Sequence, residues 1–224
     1  MRHITKSDAP AELRDWLDAE NEAWTPTWSA FGGAEKAATK TALLAEQGSL
    51  CAYCCERIDA DTSHVEHVVP RSASTGDPSR ALDYQNLVAS CFGQDDEDPR
   101  LRRGAEPDRH CGDHKGSTFD ASRFVSPLDL SCETAFAFTS IGRVEPTAEG
   151  LERADYTFRV LNLNAARLVR GRTAAITGIE VVLTGLDVEA RRSLLARLAD
   201  RRPDGAFAQF YPAVVSALSY LAPS

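Results

Sequence analysis

Four short runs between Cys51 and Lys115 decide the fold: Cys51-Ala-Tyr-Cys54; His64-Val65-Glu66-His67-Val68-Val69-Pro70; Asn86-Leu87 with Cys91 close behind; and His110-Cys111-Gly112-Asp113-His114-Lys115. A Cys-x-x-Cys knuckle aims two sulfurs at one point, as half of a tetrahedral zinc site requires. Cys91 and Cys111 are the natural second pair, with the polar stretch 93–109 inserted between them. Cys55 rivals Cys54, but only Cys54 completes the two-residue gap with Cys51. Cys132 lies beyond the motif and reads as structural. The alternative is that Cys91 and Cys111 are merely small buried hydrophobes.

Inside this bracket lie residues suited to metal-assisted hydrolysis of a phosphodiester. A neutral imidazole at His67 can take a proton from water. The Glu66 carboxylate can hold a divalent cation. Asn86 is a candidate for orienting the imidazole through its amide oxygen. His64 reads as a scaffolding residue or as one that supports a ligand from behind. Adjacent side chains on a strand point to opposite faces, so Glu66 and His67 meet one metal only where the strand is distorted or ends.

Whole-chain properties narrow the class. The chain has 224 residues and a net charge of −8, which argues against a general nucleic-acid coat. It leaves room for an enzyme that touches nucleic acid locally or is delivered by a partner. No apolar run is long enough to span a membrane. Residues Met1 to Asp8 hold no apolar core of the kind a secretory signal needs, so the expected location is the cytoplasm, where clustered cysteines read first as metal ligands.

The pattern predicts a mainly helical surround. Leu13, Trp16 and Leu17 share one face of a first helix capped by Ser7-Asp8-Ala9-Pro10. A second helix is expected over 34–47, with Ala37, Thr41 and Leu44 on one face and Gly48 ending it. Residues 71–80 read as a loop. Alternation over 134–138 and Gly142 before Arg143-Val144 predict a hairpin. Helices are expected over 161–172 and 187–202. The run Phe207, Phe210, Tyr211, Val214, Val215 and Leu218 predicts an amphipathic final helix, packed on the protein's own core in preference to a partner. The regions divide as 1–47 helical, 48–125 around the motif, and 126–224 mainly helical.

The motif resembles the HNH endonuclease superfamily. Glu66-His67-Val68-Val69-Pro70 is similar to its Asp-His-Ile-x-Pro strand, Asn86-Leu87 to its central Asn, and Cys111 to Lys115 to the start of its closing helix. The combined pattern, with Leu82-Asp83-Tyr84-Gln85-Asn86-Leu87 and Ser90-Cys91, resembles more closely the PtuB-like nucleases of retron and Septu antiphage systems. The resemblance implies an α+β fold: a small ββα-metal (HNH) centre with a four-cysteine zinc site embedded in a mainly helical protein. It implies a metal-dependent DNA endonuclease with structural Zn²⁺ on Cys51, Cys54, Cys91 and Cys111, and catalytic Mg²⁺ or Mn²⁺. It makes His67 the general base, Glu66 a ligand of the catalytic cation and Asn86 the residue that positions the base. It implies a PtuA-like ATPase as partner, with a retron reverse transcriptase and its RNA/DNA.

The chain departs from the family at Gly112, where many members carry the second metal ligand. His114 with Asp113 behind it is the expected substitute, with His110 a third, and Lys115 is the expected phosphate contact. Two other classes remain: a zinc-stabilised nucleic-acid-binding module without catalysis, which Gly112 favours, and a redox protein, which only Cys54-Cys55 supports.

Overall fold

The computed structural model describes residues 1–73, 78–93, 108–148 and 151–222. Most of the stretch 93–109, expected as a surface insertion, therefore lies outside the described residues.

Helix α1 is Ala11–Asp18 and buries Leu13. The expected side-chain cap is not made. The Ser7 N–H and hydroxyl instead donate to the Glu46 carboxylate at 2.8 and 2.5 Å. The neighbouring Lys6 ammonium sits 2.6 Å from the same carboxylate and donates to the Leu87 carbonyl. The first residues are thus strapped along the next helix.

Helix α2 is Ala34–Gln47, and Gly48 ends it in the left-handed region at φ 59°. The buried positions are Thr39, Leu43 and Gln47, while Ala37 and Thr41 are exposed, which corrects the expected face. The reason is polar. The Gln47 carboxamide donates to the Leu50 and Ala89 carbonyls and accepts from the Ala89 N–H, all within 2.8 Å. A buried amide with its bonds made outweighs the few apolar atoms on the expected face.

Strand β1 (Ser63–His67) pairs antiparallel with β2 (Leu87–Cys91), Ser63 opposite Cys91 and His67 opposite Leu87. Every residue of β2 is buried, because α2 packs on it as well as the short helix α3 (Cys111–Lys115). A second antiparallel pair, β3 (Phe136–Phe138) and β4 (Val144–Pro146), turns at Gly142.

Of the helix expected over 161–172, residues 161–165 form a turn between two helices, and only 166–172 are helical. α4 is Leu151–Val160 and α5 is Ala166–Thr184. Between them Asn162 takes φ 46°, and its amide donates to the Asp108 carboxylate and the Arg109 carbonyl. Asn164 exchanges hydrogen bonds with the backbone of Val144. Asn side chains that bond backbone compete with helix continuation, and this turn uses both. Helix α6 is Val188–Leu198, capped by Asp187, and α7 is Tyr211–Leu218. Phe207, Phe210, Val214 and Leu218 are buried, with α7 against α5 and β3, so the final amphipathic run does serve the protein's own core.

The main core runs through the whole chain, from Met1 and Ile4 through Val65, Val88 and Cys111 to Leu168 and Ala213. A smaller cluster around Ile176, Leu183, Leu195 and Leu218 joins α5, α6 and α7. No helix among the described residues is long and apolar enough to cross a membrane.

Gly48 tests how the C-terminal region is clasped. A Cβ there would lie 2.2 Å from the Phe207 ring, at a backbone angle side chains disfavour. Gly48→Ala is expected to cost about 2 kcal/mol or more, read as a fall of about 4–8 °C in the thermal midpoint.

Candidate metal centre and catalytic pocket

Three segments bring four sulfurs together. The turn after α2 carries Cys51 and Cys54, β2 ends on Cys91, and α3 begins on Cys111. Cys111 sits in the left-handed region at φ 57°, held there by its N–H bond to the Leu161 carbonyl. All four ligand atoms lie within 4.8 Å of one another, and all four residues are buried. The Cys54 and Cys91 sulfurs are 3.9 Å apart. A disulfide would bring them to about 2.05 Å, whereas a tetrahedron with Zn–S bonds of 2.3 Å has edges of about 3.8 Å. The geometry fits zinc.

The surroundings fit thiolates as well. The Cys91 N–H donates to the Cys51 sulfur at 3.4 Å. His110 Nδ1 lies 3.3 Å from the Cys111 sulfur and 3.7 Å from that of Cys91. Burial pushes the Cys54 and Cys111 thiols well up. Burial opposes charge on Cys51 too, but hydrogen bonds from the other three thiols pull it well below the usual thiol range. Burial works against charge on the four sulfurs, and a bound cation would favour ionising them. Cys55 stands outside, in a small cluster with Leu50 and Phe207, and burial pushes its thiol up to about 11. Cys132 is buried apart from the four and pushed up to about 12.

Beside this centre a cavity of about 390 Å³ is lined by Glu66, His67, Pro70, Arg71, Lys115 and Ser117 among others. Glu66 Oε1 lies 2.9 Å from Lys115 Nζ, and Oε2 lies 3.6 Å from His64 Nε2. Burial works against the Glu66 charge, but His64 and Lys115 outweigh it and hold the carboxyl below its usual range. His67 Nε2 is 2.9 Å from the Ala81 carbonyl. A carbonyl only accepts, so Nε2 carries the hydrogen and Nδ1 is the basic nitrogen. Burial lowers the His67 pKa, keeping the ring neutral. Its other contact is Trp28, edge-on at 4.3 Å, with the Arg71 guanidinium over the Trp28 ring.

Several expected residues lie elsewhere than their expected roles required. The Asn86 carboxamide is spent on the backbone of Val69, accepting from its N–H at 2.8 Å and donating to its carbonyl at 3.0 Å. It braces the chain after the imidazole, and Ala81 anchors the ring. His114 Nδ1 bonds the Val160 carbonyl at 2.8 Å, and Asp113 faces Arg109 at 3.5 Å. Among the described residues no group of three ligand atoms includes Glu66, so Glu66, Asp113 and His114 do not converge. Lys115, 1% exposed, donates to the His67 carbonyl and pairs with Glu66, leaving no free ammonium for a phosphate.

Gly112 now has a physical explanation. A Cβ at that position would lie 2.9 Å from Glu66 Cδ, so the carboxylate rests where a side chain would stand. His64 stands beside the Glu66 carboxylate, as a residue that supports it would. Alternation along a strand places His64 and Glu66 on one face, and that signal was available in His64-Val65-Glu66. Trp28 and Arg71 carried no comparable signal.

An antiparallel strand pair and a short helix around a four-cysteine cluster therefore define a mixed helix–strand protein with a candidate zinc site. No family model matches the chain. Over 149 residues it is 26% identical to "Retron Vc95 putative HNH endonuclease" of Vibrio cholerae serotype O1 biovar El Tor. The match covers 65% of this chain and 66% of that protein, just under two thirds of its length. This similarity supports a relationship to HNH endonucleases.

Purified protein is expected to hold about one zinc per chain. Cys51→Ser or Cys111→Ser should lose the metal and the cooperative unfolding transition, while Cys55→Ala should keep both. Metal analysis beside circular dichroism checks this, and full zinc in Cys111→Ser would contradict the assignment.

Proposed function

We propose that the protein is a metal-dependent HNH endonuclease that hydrolyses DNA phosphodiester bonds. The observation that carries the reading is that one open pocket beside the cysteine cluster is lined by Glu66, His67 and Lys115, in a chain similar to a protein named as a retron HNH endonuclease. The order β1, β2, α3 is that of a ββα-metal centre. In this reading zinc on Cys51, Cys54, Cys91 and Cys111 is structural, and the nuclease chemistry belongs to the pocket.

His67 Nδ1 takes the proton from the attacking water. The Ala81 carbonyl and the Trp28 edge fix the ring while it does so. Glu66, with His64 in place of the expected His114, would hold a Mg²⁺ or Mn²⁺ ion, which when bound would supply positive charge to the scissile phosphate. Arg71 is the exposed cation of the pocket wall and takes over the phosphate contact expected of Lys115. Lys115 holds Glu66 in place against Gly112.

The finer assignment is a PtuB-like effector of a retron or Septu antiphage system, working with a PtuA-like ATPase and, in a retron, the reverse transcriptase with its RNA/DNA. The net charge of −8 supports a nuclease that binds DNA poorly alone and is delivered by its partner. The second reading is a zinc-stabilised binding module. It is favoured by the Lys115 ammonium already paired with Glu66.

Nicking of supercoiled plasmid by zinc-loaded protein separates the two. With Mg²⁺ or Mn²⁺ the native chain is expected to nick. His67→Ala is expected to lose about 10²- to 10⁴-fold at unchanged zinc content. Gly112→Ala, which pushes Glu66 aside, is expected to lose activity with the fold intact. No nicking with any divalent ion, alone or with the co-encoded ATPase, would leave the binding module.

A further inference from the structure

Phe92 follows the sulfur ligand Cys91 and leaves 48% of its surface exposed. Its backbone is held on both sides. Cys91 is in the strand ladder and bonds the Cys51 sulfur. Gly93 takes φ +67°, and its carbonyl accepts from the His110 N–H at 2.9 Å. The phenyl ring stacks on His64, with centroids 5.7 Å apart and planes 26° apart. His64 in turn lies 3.6 Å from the Glu66 carboxylate. The exposed ring is therefore one imidazole's width from the candidate site of chemistry.

Phe92 also walls a second cavity, of about 190 Å³. Ile58 adds apolar surface there, while Thr62, Asp61 and Arg167 add hydrogen-bonding groups. A flat apolar wall with a polar edge, one residue from a phosphodiester site, matches the chemistry of a nucleobase: a π face to stack and an edge to bond. A half-exposed aromatic on a rigid backbone has its ordering cost already met, so stacking a base on it yields net affinity.

We propose that Phe92, backed by His64, is a stacking subsite for an unpaired base of the strand that is cut. This rests on the nuclease reading above and deepens it: the substrate is single-stranded or locally opened DNA, since a paired base keeps its faces covered by its neighbours in the stack.

The test uses the zinc-loaded full-length chain carrying His67→Ala, so that no strand is cut. A single-stranded oligodeoxynucleotide containing 2-aminopurine is titrated, reading fluorescence quenching and anisotropy together. Binding is expected to quench the base. Adding Phe92→Leu, which keeps apolar bulk without a ring, is expected to abolish the quench and weaken binding roughly 5- to 100-fold, while Phe92→Trp retains both at equal zinc content. Quenching and affinity unchanged in Phe92→Leu overturn the subsite, as does failure of any single strand to bind. The plasmid assay on the native chain reads the other claim independently. Nicking with an unaffected Phe92→Leu sinks the subsite alone, and a Phe92-dependent quench without nicking sinks the nuclease alone.

Discussion

Four buried sulfurs within 4.8 Å, none in a disulfide, constrain everything around them. They come from three segments far apart in sequence, and burial disfavours ionising most of them. A divalent cation held there would resolve the conflict, and its binding energy would be folding energy. Structural zinc contributes about 10–16 kcal/mol in small peptides, against about 5–15 kcal/mol for the whole stability of a domain. A zinc ion on these sulfurs would therefore be comparable in weight to the rest of the fold.

The pocket inherits its geometry from that centre. Helix α3 has five residues, far too few to persist alone. It is pinned at its start by Cys111 and at its end by Lys115, buried against Glu66 and the His67 carbonyl. The register between β1 and β2 then fixes which residues face it: Cys91 opposite Ser63 at one end, His67 opposite Leu87 at the other. The N-terminal region closes the far side by laying Trp28 on the imidazole. The aromatic group of Trp16, Trp24, Trp28 and Phe31 gives that contact its backing.

Spacing made much of this legible. The knuckle, the limits of α2 with Gly48, and the turn at Gly142 are local signals, and the structure has them all. What the sequence hid was decided by polar groups acting at a distance. Gln47 turned α2 inward to reach Ala89, against the apolar pattern of the helix. Asn162 and Asn164 moved the start of the expected helix from 161 to 166, holding Asp108 and Val144 instead. The motif suggested His114 as the neighbour of Glu66, but a helix of barely more than one turn points successive residues in different directions, and His114 faces Val160. His64 was readable from strand alternation, whereas the bond between Asn86 and Val69 was not.

The ion pair between Lys115 and Glu66 sets the carboxylate pocket apart from the sulfur cluster in one small module. An ion held by the four buried sulfurs would be shut off from solvent and slow to leave. The carboxylate is already answered by an internal ammonium, so a divalent ion arriving there finds little unbalanced charge to hold it without a phosphate alongside. Such an ion would exchange readily with solvent. The metal inventory of a purified sample would then describe the sulfur cluster and not the carboxylate pocket.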